Sequence, residues 1–555
     1  MATLKLGELL KSKRLLTEAQ LNVALAQQTI TGDLIGDILI KLGFVSSKEM
    51  AQTLAEQAGI SFIDLDSYMP SENALRLVSR EIAESTGFLP LSLEKGILTK
   101  GILTIGINSP SNILAIDVAT RISGKPPRAY MVDSESFYDI LEKAYYFLEN
   151  PIHKHIEKAI NEIKTSETPS AATISSLTEL LIMDGIRRNA TDIHINPALK
   201  AVHVFYRIDG VLQHGHCFPK IAHSGVISRI KILSELDIAE QRLPQDGSFS
   251  FSFLGRKYDM RVSTIPTIYG ENVAIRMLRG LGPLLRILNL GFDKHDVERL
   301  RFLFSKPYGL ILVTGPTGSG KTTTLYAALR EINLLEKNVL TVEDPVEYKM
   351  SMIRQTEVNE KAGYNFALAG RNFMRQDPDV MLLGEIRDEE TAQIAIRASI
   401  TGHLVLTTLH TNDAITAIPR LFDLNVDRYL LSSSLMAVVA QRLVRKICIN
   451  CKTEYPLKNG ELVAMGLPEL EGKIKIAFRS KGCSICNNTG YSGRTAIGEI
   501  LIVNDDINEL IYSGASVKAL KDVAIRNGME TMKDNGIKKA IEGITTFEEV
   551  LRVAG

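Results

Sequence analysis

Apolar residues over the first sixty positions recur three and four apart, and the pattern is written twice. KLGELLKSKRLLTEAQLNVALAQQ, from Lys5, and LIGDILIKLGFVSSKEMAQTLAEQ, from Leu34, have equal length and an offset of 29 residues. At that offset Leu6 meets Ile35, Gly7 meets Gly36, Leu10 meets Leu39, Leu16 meets Val45, Leu21 meets Met50, Leu25 meets Leu54 and Gln28 meets Gln57. Each copy predicts a short helix, a turn and a longer helix capped by Thr17 or Ser46. The leucines by themselves require only a duplicated helical hairpin with a buried apolar seam.

From Gly59 to about Ala144 the period shortens, and FIDL, GILTIGI and RAYMV predict strands between helices in a small α+β unit. The first domain is therefore expected over 1–145. ENPIHKHIEKAINEIKTSETPSAAT is polar and predicts an interdomain connection over 146–173, partly helical and mobile. A second α+β segment is expected over 174–280, with AVHVFYRI and YDMRVSTI as strands. An α/β domain opening on LILVTG is expected over 281–555, interrupted by a polar, Cys-containing excursion at about 446–490.

Composition sets outer limits. The 555 residues suggest three or four domains, and 45% hydrophobic with 23% charged residues is ordinary for a globular chain. Lys plus Arg balances Asp plus Glu at 64 each, which argues against nucleic acid as a substrate. No apolar run approaches the roughly 20 residues that span a bilayer, and the N-terminus lacks a signal-peptide core. A cytoplasmic location is expected. Four of the five cysteines form two CxxC pairs, which in a reducing compartment favours metal over disulfide. Cys217 stands apart and is expected to pack in the core.

GPTGSGKTTT satisfies GxxxxGK[ST] through Gly315, Pro316, Thr317, Gly318, Ser319, Gly320, Lys321, Thr322 and Thr323, with an apolar strand before it and a helix pattern after it. Such a loop turns backbone N–H groups onto phosphate, Lys321 neutralises the β- and γ-phosphates, and the Thr322 hydroxyl joins a Mg2+ shell. VLTVEDPVEY ends an apolar run at Glu343, Asp344 and Glu347, and PDVMLLGEIRD ends another at Glu385, followed by Arg387 and Asp388. A carboxylate at a strand tip beside a phosphate loop is placed to orient an attacking water. TGHLVLTTLHTNDA adds His403 and His410. Taken singly, a carboxylate at such a tip is often just a solvated cap and a lone histidine is more often structural, but three such ends in one domain with a phosphate loop argue against that reading. Cys448 and Cys451, then Cys483 and Cys486, are two hooks separated by 31 residues that suit one tetrahedral Zn2+. A redox dithiol or four unrelated thiols are the alternatives.

The set GPTGSGKTTT, TVEDPVEY, RQDPDVMLLGEIRD and TGHLVLTTLHTNDA resembles the Walker A, aspartate, Walker B and histidine boxes of the type II/IV secretion ATPase superfamily. ATDIHINP, YRIDG, IAEQRLPQDG and MRVSTIPTIYGENVAIRML resemble its smaller subdomain, so the likeness extends over nearly everything after Ile174. The resemblance implies a RecA-like P-loop ATPase core with a preceding PAS-like α+β subdomain and a zinc-binding excursion. By it, Glu385 is the catalytic glutamate, Glu343 and His410 face the γ-phosphate, and Arg261 and Arg276 reach nucleotide across a ring interface. Gly384 stands where ordinary P-loop enzymes carry Asp, a feature the superfamily shares.

The N-terminal repeat resembles the MshEN-type domain that binds cyclic-di-GMP in many pilus assembly ATPases. The matching positions are Lys5, Leu6, Gly7, Gln28, Ile35, Gly36 and Gln57, with Lys5 where a guanine-stacking Arg is usual. The implied protein is a homo-hexameric, Mg2+-dependent ATPase acting on a platform protein at the inner face of the inner membrane, and the pilus assembly branch fits best. A type II secretion ATPase is the nearest alternative. A cyclic-di-GMP or nucleotide sensor with little turnover is the alternative from another class, and DNA translocation is a third.

Overall fold

The computed structural model describes residues 5–13, 15–65, 70–94, 102–278, 286–350, 352–483, 486 and 488–555. The boundary expected at 280–281 lies outside them. The chain divides into two compact units: Met1–Leu16 with Val45–Pro283, and Thr17–Phe44 with Leu284–Gly555.

The duplicated pattern folds as four helices, α1 (Leu6–Ser12), α2 (Glu18–Thr31), α3 (Ile35–Lys41) and α4 (Ser47–Ala58). Thr17 with Gln20, and Ser46 with Glu49, form reciprocal capping boxes that start the longer helix of each copy. Gly32 and Gly59 end those helices at φ +71° and +68°, conformations that favour glycine. Pairing exchanges between the copies, since α1 packs on α4 in the first unit and α2 on α3 in the second. Of the domain expected over 1–145, Thr17–Phe44 groups with the second unit. Leu25 stays 44% exposed.

In the first unit, β1 (Phe88–Glu94), β2 (Ile102–Ile107) and β3 (Arg128–Met131) form a three-stranded sheet backed by α5 (Ser134–Glu149). FIDL contributes only an isolated bridge from Phe62 to Met131. A six-stranded sheet follows, ordered β6-β5-β4-β9-β8-β7, from β4 (Asp192–Pro197), β5 (Ala201–Ile208), β6 (Val211–Pro219), β7 (Gln245–Phe253), β8 (Arg256–Thr267) and β9 (Gly270–Leu278). One face packs on α7 (Ala171–Arg187) and α8 (His223–Leu233).

The polar connection expected at 146–173 is mostly α6 (Ile152–Thr165), and it is not a free linker. Ile152, Ile156, Ala159, Ile160 and Ile163 fall on one helical stripe and are buried in the core of the six-stranded sheet. Tyr146 and Phe147 at the end of α5 pack on Phe253, with ring centroids 5.0 and 5.7 Å away. Cys217, expected in the core, is exposed on β6.

The second unit is built on a seven-stranded sheet ordered β12-β11-β13-β14-β10-β15-β18. Its strands are β10 (Gly309–Thr314), β11 (Val339–Glu343), β12 (Arg354–Glu357), β13 (Val380–Leu383), β14 (Leu404–Leu409), β15 (Leu435–Ile447) and β18 (Tyr491–Ile502). All neighbours are parallel except β15 and β18. Every residue of β10 is buried, as a strand covered on both faces must be. Leu310 and Leu312 enter one apolar layer, Ile311 and Val313 the other. Between β15 and β18 the chain makes the short ribbon β16 (Lys452–Pro456) and β17 (Ile476–Ser480). This excursion is not coreless, because Leu462, Leu467 and Ala477 pack with Ile537, Ala540, Phe547 and Val550 of two C-terminal helices.

Candidate functional site

The loop from Gly315 to Gly320 joins β10 to α9 (Lys321–Glu331). Gly315, Gly318 and Gly320 have φ of +146°, +78° and +89°. A Cβ on Gly315 would come within 2.4 Å of the Gln441 carbonyl oxygen, so glycine is required there twice over. Pro316, Thr317 and Gly318 are exposed at the tip, and Lys321, Thr322 and Thr323 are half-buried at the start of α9. No side chain caps that helix start, which leaves first-turn N–H groups for an anion. The Ser319 hydroxyl is buried without a hydrogen-bond partner. These donors fit a phosphate chain. Lys321 Nζ donates to the carbonyls of Gly315 (2.9 Å) and Pro316 (3.3 Å). Burial lowers its pKa, opposed by the charge of Glu385.

Glu385 follows β13, and its backbone is held by the neighbouring strand: Thr408 donates to the Gly384 carbonyl at 2.9 Å, and Ile386 N–H donates to Thr408 at 3.0 Å. A Cβ on Gly384 would lie 2.9 Å from the Phe366 ring and 3.1 Å from the Val342 carbonyl, so the usual Asp would not fit without displacing either. Glu385 Oε2 is 3.0 Å from His410 Nε2 at the end of β14, and Arg387 pairs with Oε1. Arg387 also reaches Asp344 at 3.4 Å. Glu385, His410, Arg387 and Asp344 thus converge from the tips of three adjacent strands.

Glu343 departs from expectation. It is 5% exposed, and its carboxylate accepts hydrogen bonds from Tyr326, Thr341 and Gln355. Burial, then the Glu343 hydrogen bond, pushes the Tyr326 hydroxyl well above its usual range. Protein donors occupy both oxygens, so the acid next to Arg387 and Glu385 is Asp344. His403 is also corrected: it precedes β14, at the opposite end from His410, with Nδ1 2.9 Å from the Ala398 carbonyl. Asp388 caps the helix Glu389–Ile400 by accepting from Thr391 N–H at 2.8 Å. Sequence reasoning left Arg387, Tyr326 and Gln355 without roles. Only Arg387, two positions from Glu385, carried a local signal.

Arg261 and Arg276 lie in the first unit, directly paired across β8 and β9, and both are exposed. The row continues across the sheet to Asp192, which pairs with Arg276 at 3.1 Å and with Arg207 at 3.6 Å. Two guanidiniums, Arg276 and Arg207, therefore share the Asp192 carboxylate, and Arg261 stands beside Arg276 on the next strand. Of the repeat positions, Lys5, Leu6, Gly7 and Gln57 belong to the first unit, and Gln28, Ile35 and Gly36 to the second. Gln28 donates to the Asp33 carbonyl at 3.0 Å.

The sulfurs of Cys448, Cys451, Cys483 and Cys486 lie within 4.8 Å of one another. Cys448–Cys483, Cys451–Cys486 and Cys483–Cys486 are separated by 3.8, 3.8 and 3.6 Å. Tetrahedral Zn2+ with Zn–S of about 2.3 Å requires sulfurs about 3.8 Å apart, so the four residues fit the ion. Backbone N–H groups of Cys483 and Gly490 point at Cys486 sulfur, each at 3.2 Å. Burial pushes the Cys448 and Cys451 thiols up, the charge state that a bound cation reverses.

The family described as "Type II/IV secretion system protein" matches residues 167–552, and the MshEN domain matches residues 58–150. The MshEN match falls on the α+β part that follows the paired repeat. The type IV pilus assembly ATPase PilB of Myxococcus xanthus is 37% identical over 99% of this chain and 98% of its own length. The type II secretion system protein E of Xanthomonas campestris is 36% identical over 100% of this chain and 98% of its own. Among solved structures, the Legionella pneumophila ATPase DotB matches with a TM-score of 0.50 at 19% identity, covering 70% of this chain and 95% of that one; this likeness concerns the fold.

Proposed function

This chain belongs to the type II/IV secretion system protein family, and from that membership we propose that it hydrolyses ATP with Mg2+ in a hexameric ring that powers type IV pilus assembly. The observation that carries the reading is the convergence of a complete phosphate loop with Glu385 and His410 on adjacent parallel strands of one sheet. Lys321 and the uncapped N–H groups of α9 bind the phosphates. Thr322 is the residue that would hold Mg2+, which when bound neutralises charge on the phosphate oxygens. Glu385 orients the attacking water, and His410 with Arg387 fixes the direction of its carboxylate. Hydrolysis spreads negative charge over the equatorial oxygens late in the reaction, and Arg261 and Arg276 of a neighbouring subunit supply the compensating guanidiniums.

No described helix is long and apolar enough to cross a membrane. In this reading the ring acts on a membrane-embedded platform protein from the cytoplasmic face. The four cysteines hold Zn2+ as a closed structural site. The repeat serves cyclic-di-GMP binding, and calorimetric titration of that dinucleotide into the full chain tests it.

Deleting the gene in its host and restoring it with Lys321→Ala should leave cells without surface pili. A second reading, type II secretion, is favoured by the equally extended Xanthomonas relative. Loss of exoprotein release with pili intact would select it.

A further inference from the structure

We infer that Gln441, on β15, is a positioning residue that sets the nucleotide affinity of the phosphate loop; this rests on the reading that the loop binds ATP. Gln441 is 1% exposed and more than a hundred residues away from the loop in sequence. Its amide Nε2 donates to the Ser319 carbonyl at 2.9 Å, and its Oε1 accepts from the Thr324 hydroxyl at 2.8 Å. Its backbone carbonyl closes on Gly315, and its Nε2 would lie 3.1 Å from a Cβ on Gly320. One residue therefore meets both ends of the loop, by its backbone at Gly315 and by its side chain at Ser319 and Gly320, and also the first turn of α9.

The consequence follows from peptide planarity. The Ser319 carbonyl and the Gly320 N–H belong to one rigid trans unit and point in opposite directions. Holding the carbonyl outward on Gln441 aims the Gly320 N–H inward, toward the concave side that takes phosphate. The Ser319 carbonyl only accepts and so fixes which way round the Gln441 amide lies, and the Thr324 hydroxyl, donating to the amide oxygen, tethers it there. Gly320, at φ +89°, has little conformational preference of its own, and an unheld peptide there would rotate. Gln441 removes that freedom before nucleotide arrives.

The test measures ADP affinity and ATP turnover in the full-length protein with Mg2+. Gln441→Met keeps the volume and removes both hydrogen bonds. Gln441→Glu keeps the acceptor for Thr324 and places an oxygen against the Ser319 carbonyl. Both should weaken ADP binding and raise the ATP KM about tenfold, with kcat within threefold. Thr324→Val, which keeps the Ser319 bond, should weaken ADP about threefold. Wild-type ADP affinity and KM in a folded Gln441→Met protein would overturn the inference. If Gln441→Met does not fold, unchanged ADP affinity in Thr324→Val overturns it instead. Lys321→Ala separates this from the nucleotide reading. If wild type fails to bind ADP, or Lys321→Ala binds it equally well, the nucleotide reading falls. If only Lys321→Ala loses ADP, the Gln441 inference alone falls.

Discussion

His410 Nε2 sits 3.0 Å from Glu385 Oε2, joining the tips of two neighbouring parallel strands. An ionised carboxylate only accepts, so His410 is the donor, and Arg387 takes the other oxygen. The carboxylate is thereby aimed before a water arrives. His410→Ala should lower kcat about 10- to 100-fold while changing the ATP KM little, because it removes orientation and no phosphate contact. Steady-state ATP hydrolysis over a substrate range measures both.

Purified protein should carry about one Zn2+ per chain, the number one four-thiolate site holds. Cys483→Ser should lose the ion and lower the melting temperature. The small core around Leu462, Phe547 and Val550 should keep the excursion partly structured, so the loss falls short of global unfolding. Elemental analysis of reduced protein, with thermal melts of both forms, checks this.

Acid stability should depend on Glu549. Burial by itself would raise its carboxyl, but hydrogen bonds from Arg552 and Arg445 more than offset that and leave it at about 2, below the usual 4.5. Between those values the unfolded chain binds the proton and the folded chain does not. The stabilisation is full above pH 4.5 and is lost as pH falls toward 2. Glu549→Gln should flatten the decline in melting temperature between pH 7 and 3, as well as lowering its value at pH 7.

The phosphate loop was legible because its determinants are contiguous: LILVT, the glycines and the helix all lie within a few turns of chain. The capping boxes at Thr17 and Ser46 were legible for the same reason. What escaped depends on distant partners. Nothing near Glu343 announces that Tyr326 and Gln355 close over it, and nothing in AQRLV announces that Gln441 grips Ser319. The helix Ile152–Thr165 was read as a connection because its charges outnumber its isoleucines, yet the isoleucines share one face. The strand Phe88–Glu94 carries no clear strand signal in sequence because Pro90 interrupts its pattern, and the register shifts just after that proline.

If Arg261 and Arg276 act across a ring interface, inactive chains should complement one another. Mixing Arg261→Ala with Lys321→Ala subunits under exchange should restore a fraction of turnover, since some interfaces then pair an intact arginine with an intact loop. Mixed rings that exchange subunits and stay inactive at every ratio would show that the arginines act within their own chain.

The account depends most on Glu385 as the group that orients water. Replacing it by Gln keeps the size and removes the negative charge, and the phosphate loop is untouched. ATP binding and turnover measured side by side on Glu385→Gln should show nucleotide held with near-normal affinity and hydrolysis reduced at least about a hundredfold. Near-normal turnover by this variant would contradict the account and move the catalytic role to another carboxylate.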